Sequence, residues 1–149
     1  MSQPNSLMRE LNIDMAEIRR RMAFVDFSDR DVRLLTEMEG LIAENADRIV
    51  SAFYRHQLSF EETRFFLSDP ATVDRLMKHQ KGFLLEIFRG NFDEAYFERQ
   101  LGIGAVHQRI GLPPKLYIGT FCLYENLLSP LIQKAYAHES DGGLARIMA

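Results

Sequence analysis

The sequence has no tryptophan and one cysteine, Cys122, in 149 residues. One cysteine excludes an internal disulfide framework and suits a reducing compartment. There is no apolar run of the roughly 18–20 residues a bilayer span requires, and Met1–Glu10 is too polar for a signal peptide. A cytoplasmic location, with no membrane insertion of this segment, is therefore expected. Charge of one sign is lacking too. Eighteen Lys and Arg face 21 Asp and Glu for a net −3, and the basic residues are scattered. That leaves no electrostatic footprint for nucleic acid or an anionic membrane. Alternating β-branched runs bounded by turn pairs are absent as well, which argues against a sheet.

What remains is an ordinary globular balance, 46% hydrophobic and 26% charged, with 11 Phe and 7 Met. The length fits one domain, residues 1–149, able to bury a core without staples. Helical spacing recurs throughout. Met15, Ile18, Met22 and Val25 mark a short N-terminal helix. Ser28 offers an N-cap to a helix carrying Val32, Leu34, Leu35 and Met38, and Gly40 suggests a bend or break. A longer helix from about Leu41 carries Ile42, Ile49, Val50, Phe53 and Tyr54, and Ser59–Glu62 opens a short one bearing Phe65 and Phe66. Ser68-Asp69-Pro70 is a start signal for a helix that ends near Gly90. Asn91-Phe92-Asp93 restarts the chain into a helix through His107 that Gly111 closes. After the corner at Pro113-Pro114, one helix is expected from Leu116 to about His138, kinked at Pro130. Ser140–Gly143 should break it, with a further helix starting at Leu144.

His107 is the first candidate for chemistry. It stands one turn after Ile103 and one before Gly111, and Gly104 shares nearly the same face without a side chain. A flat ligand could approach that face while a neutral imidazole reaches a haem iron; a hydrogen-bonded core histidine would look the same. His79 falls three residues after Leu76 and four before Phe83, so it is expected to point with the apolar stripe of Val73, Leu76, Phe83 and Ile87 rather than with Lys78 and Lys81. A histidine there needs a hydrogen-bond partner or a metal. Tyr54, beside Val50 and Phe53, could donate to a bound diatomic ligand or lie at the core boundary with its hydroxyl in water. His56 and His138 read as solvated and Cys122 as inert packing.

No Cys-x-x-Cys-His is present, so any haem would be the non-covalent b type. Gly102-Ile103-Gly104 has no preceding strand to make it a phosphate loop. There is no metalloprotease pair, nucleophile elbow or other convincing hydrolytic or transferase site, and an enzyme is not expected.

The stretch Ile103–Pro113, with its His-x-Arg-Ile-Gly-Leu segment, and Tyr117-Ile118-Gly119 after it resemble the signature of the globin-coupled sensor family. These are bacterial haem domains, usually fused to an output module. Phe53-Tyr54 resembles the family's distal pair, Arg75-Leu76 its distal helix, and Phe88–Gly90 through Asp93–Tyr96 the entry to its proximal helix. The resemblance covers nearly the whole chain and implies an all-α globin fold, with an extension helix over 1–26 and a globin core over 27–149. It implies His107 as proximal ligand of haem b and Tyr54 as distal donor, with Phe53, Leu76, Phe83, Gly104, Ile110 and Tyr117 lining the haem. His79 departs from the small, hydroxyl or aliphatic residue many members carry, which implies a bis-histidyl, six-coordinate resting iron. Leu116 replaces a frequent Trp, a change of packing. A homodimer through the helix over 114–138 and the one after it is implied, with O2, CO, NO or redox state as the signal. The closing helix is expected to be incomplete at Ala149, with the output domain outside the chain. A haem enzyme turning over nitric oxide or peroxide, and a haem-free helical dimerisation module, are the rival readings.

Overall fold

A computed structural model describes residues 6–137. His138, the break at Ser140–Gly143 and the helix expected from Leu144 lie outside the described residues. Among the described residues eight helices follow one another, α1 (Leu7–Glu10), α2 (Met15–Phe24), α3 (Asp29–Glu37), α4 (Glu39–Ser59), α5 (Glu61–Arg64), α6 (Pro70–Phe88), α7 (Glu94–Arg109) and α8 (Pro114–Tyr136). No strand occurs among the described residues.

Local chemistry explains most of the boundaries. At α2 the Asp14 carboxylate accepts from the Glu17 N–H at 2.7 Å, and at α7 Asp93 accepts from the Tyr96 N–H at 2.8 Å. Before α3, the Asp31 carboxylate takes both the backbone N–H and the hydroxyl of Ser28, each at 2.7 Å. At α6, Asp69 accepts from the Thr72 N–H at 3.0 Å while Pro70 supplies the first turn. These carboxylates satisfy helix N–H groups that otherwise have no partner. Gly90 and Gly111, both at φ 68°, turn the chain out of α6 and α7.

The chain divides into two compact units, Met1–Glu39 with Glu86–Leu112, and Gly40–Leu85 with Pro113–Ala149. The first buries Met8, Ile18, Met38, Phe88 and Tyr96. Phe92 joins its aromatics, meeting Phe27 and Tyr96 edge to face at centroid distances of 5.4 and 5.0 Å. In the same unit the Glu98 carboxylate of α7 accepts from the N–H groups of Leu7 and Met8, at 2.6 and 3.1 Å, and from the Ser6 hydroxyl at 2.9 Å. A side chain about 90 residues downstream thereby caps α1. The second unit centres on α4, whose Ile42, Ala46, Ile49, Val50, Phe53 and Tyr54 are buried at helical spacing, with Leu84 of α6. Lys81 pairs with Asp47 at 2.7 Å in that unit.

Three sequence expectations change. Gly40 does not break the chain. It lies in the first turn of α4, and the interruption falls at Met38, the C-cap of α3. Phe65 and Phe66 follow α5 instead of lying on it. The helix expected from Leu116 starts two residues earlier, because Pro114 at its first position already has a helical φ.

Candidate functional site

In the first unit, α7 carries His107 in its last turn. The side chain is half-buried, and burial holds its pKa below the ordinary histidine value of 6.5. The shift favours the neutral imidazole over the cation at neutral pH. The turn that follows is fixed by the Leu112 N–H donating to the His107 carbonyl at 2.9 Å, with Gly111 in the left-handed conformation.

The neighbours of His107 are apolar and uncovered. Ile103, Val106 and Ile110 are 41%, 41% and 48% exposed. A β-carbon added at Gly104 would meet nothing within 4 Å. Gln100, Gly104 and His107 share a face at positions i, i+4 and i+7, and the buried Nε2 of Gln100 has no hydrogen-bond partner. Water-facing aliphatics beside a half-buried imidazole and an orphaned donor are the marks of a helix face that receives another group.

The second unit holds the remaining candidates. Phe53 and Tyr54 are buried on α4 and meet edge to face at 5.3 Å. Burial pushes the Tyr54 phenol up to about 12, so it keeps its proton at any physiological pH. Leu76 and Phe83 of α6 and Tyr117 of α8 are half-buried.

His79 is exposed, against the expectation that it sits inside the apolar stripe. The buried side of α6 is marked by Leu84 and Phe88, and His79 stands about 140° from Leu84 around the helix. Apolar residues occupy two flanks of α6, so spacing from Leu76 and Phe83 placed His79 only at the rim of a broad stripe. His56 is also exposed, as expected, and so is Cys122, which was expected to pack.

Two residues with no sequence signature of a site, Tyr124 and Gln80, meet in the same unit. Tyr124 of α8 stacks on Phe53 with ring centroids 4.8 Å apart and an interplanar angle of 23°. Its hydroxyl accepts from Nε2 of Gln80 on α6, and burial pushes its pKa upward. The available signal was the line Tyr117, Thr120, Tyr124, a row of hydroxyl residues at helical spacing within an apolar helix.

The donor set suits a flat, largely apolar group that brings its own metal. Among the described residues no three His, Cys, Asp or Glu gather to cage a bare ion. One neutral imidazole on an apolar face is enough for an iron already held in a ring.

An all-α chain built this way, with a histidine on the penultimate described helix and an aromatic pair on α4, is a globin domain. The chain belongs to the Protoglobin family, whose sequence model matches residues 14–148. It is 30% identical over 145 residues to the heme-based aerotactic transducer HemAT of Halobacterium salinarum, an alignment covering 96% of this chain and 30% of that protein. The chain thus spans less than a third of that relative's length. Its fold matches the globin domain of the Geobacter sulfurreducens globin-coupled sensor with a TM-score of 0.68 at 23% identity, over 87% of this chain and 89% of that one. The globin fold and the globin-coupled sensor resemblance read from the sequence both hold.

Proposed function

We propose that this chain is a haem-based sensor domain, not an enzyme, in which His107 is the proximal ligand of b-type haem. The observation that carries the reading is the setting of His107, a neutral imidazole flanked by exposed Ile103, Val106 and Ile110 with open space over Gly104. Membership of the Protoglobin family and the likeness to a heme-based transducer support it. When bound, haem supplies an iron centre that takes a diatomic gas (O2, CO or NO) or changes redox state. The absence of a Cys-x-x-Cys-His sequence makes the attachment non-covalent.

His79 is the proposed sixth ligand of the resting state. It is exposed on α6 and makes no hydrogen bond or ion pair with the described residues, so moving it breaks no protein contact. A ligand tethered by no protein contact would be displaced readily by a gas. Tyr54 then donates from a phenol that burial keeps protonated. Phe53, Leu76, Phe83, Gly104, Ile110 and Tyr117 line the group. The signal leaves through a homodimer built on α8, where Ile118 and Phe121 are 57% and 64% exposed, to an output domain beyond the globin domain. A two-state interface biased by iron ligation is the physical content of that signal.

The test is the visible spectrum of the ferrous, ligand-free protein beside His79→Ala and His107→Ala. Sharp low-spin bands that turn broad and high-spin in His79→Ala support six-coordination, and loss of the Soret band in His107→Ala supports proximal ligation. A high-spin wild type unchanged by His79→Ala would leave His107 as sole ligand. A purified protein that takes up no haem would sink the reading.

A further inference from the structure

The proximal histidine and Tyr54 leave one polar assembly unexplained. Tyr124 reaches in from α8, its ring stacked on Phe53, the neighbour of Tyr54. Its hydroxyl oxygen accepts the Gln80 Nε2–H from α6. Three helices of one unit thus converge on a tyrosine whose acceptor side is occupied and whose own proton is still to be donated. Among the described residues no group accepts from the Tyr124 hydroxyl, and none accepts from that of Tyr54. The two phenols are close enough that the charge of one would raise the pKa of the other. Tyr54 is buried and Tyr124 half-buried, so each keeps a proton that a bound group could accept.

We propose that Tyr124, oriented by Gln80, is a second hydrogen-bond donor to the diatomic ligand and sets ligand affinity and discrimination together with Tyr54. The inference rests on the haem-sensor reading above. The amide bond from Gln80 does two things. It fixes the torsion of the Tyr124 O–H, because an oxygen that accepts along one lone pair directs its proton away from that donor. It also polarises the hydroxyl, strengthening what it gives. A ligand with partial negative charge on its outer atom, such as bound O2, gains more from two donors than CO does. Discrimination then comes from donors on two different helices, α4 and α8. Gln80 follows His79 directly in α6, so the residue that orients Tyr124 is tied in sequence to the proposed sixth ligand.

The experiment compares wild type with Tyr54→Phe, Tyr124→Phe and Gln80→Leu in the haem-loaded protein. Tyr124→Phe keeps the ring on Phe53 and deletes only the hydroxyl. The C–O stretch of the carbon monoxide adduct is read by infrared spectroscopy, and the O2 dissociation rate by stopped flow. Loss of one ordinary hydrogen bond corresponds to a roughly 2- to 12-fold faster O2 release. We expect Tyr124→Phe to fall in that range and to raise the C–O frequency, and Gln80→Leu to move both in the same direction by less. In the haem-free protein, the Gln80 side-chain amide resonance should shift in Tyr124→Phe, which checks the pair without cofactor. If Tyr124→Phe and Gln80→Leu bind haem but leave the C–O frequency and O2 release at wild-type values while Tyr54→Phe changes them, Tyr124 is a packing residue and the inference is wrong. Failure of the wild type to take up haem would instead overturn the sensor reading, and this inference with it.

Discussion

Gly90 lies so close to Thr36 that a β-carbon built on it would stand 2.8 Å from the Thr36 Cγ2, and 2.9 Å from the Cγ1 of Val32. Both neighbours are methyls of β-branched side chains, which cannot swing aside cheaply. Gly90 also has a φ of 68°. Gly111 has the same φ, with nothing within 4 Å of its β-carbon position. The pair separates two costs. Gly111→Ala should lose about 1 kcal/mol for the left-handed conformation. Gly90→Ala should lose about 2–4 kcal/mol, since overpacking is added. Thr36→Ser in the Gly90→Ala background should recover part of the overpacking and none of the φ cost. Urea denaturation midpoints would show this, and equal losses at both glycines would refute the close packing.

Glu98 holds α1 through three hydrogen bonds, which lower its carboxyl pKa, the Met8 N–H contributing most. Its folded pKa lies below the unfolded value. The docking therefore has full strength above the ordinary carboxylate range and is lost as pH falls through the lowered pKa. Protection of the amides of Leu7–Glu10 against exchange, relative to the unstructured rate at the same pH, should fall under that acid condition and, at neutral pH, in Glu98→Gln. Unchanged protection in the variant would mean that apolar contacts of Met8 hold the helix without it.

Tyr54 makes the alkaline prediction. Its folded pKa is raised to about 12 by burial, above the free value of 10.0. The stability it contributes is fully present below pH 10 and declines as pH rises toward 12, where the unfolded phenol ionises first. Thermal midpoints between pH 9 and 12 should fall less steeply in Tyr54→Phe than in wild type. Parallel curves would show that the phenol is solvated in the folded protein.

Leu84 and Phe83 are neighbours with different expected roles. Leu84 is only 2% exposed, whereas Phe83 is half-buried. Leu84→Ala should cost about 2–5 kcal/mol of haem-free stability, as buried leucines do. Phe83→Ala should cost the haem-free protein less and show its larger effect as faster haem loss to an acceptor such as apomyoglobin. The reverse pattern would move Phe83 from the haem lining into the core.

Residues near one another in sequence carried most of what could be read in advance. Asp93, Ser28 and the Asp69-Pro70 pair opened helices where expected, and Gly90 and Gly111 ended them. The place of His107 near the end of α7 was also legible, because Gly111 closes the helix just after it. His79 was misplaced because α6 has apolar residues on two flanks, and only contacts with other helices select the buried one.

Capping, proline geometry and glycine turns act over three or four residues, so local chemistry determined the all-α succession, its boundaries and the position of His107. Contacts between distant segments decided the rest. Glu98 caps a helix about 90 residues away, Gln80 meets Tyr124 44 residues on, and Gly90 is confined by Thr36 and Val32. Those pairings depend on which helix faces close together. A hydrogen bond or a steric limit of a few ångströms exists only after that packing has brought its partners into reach.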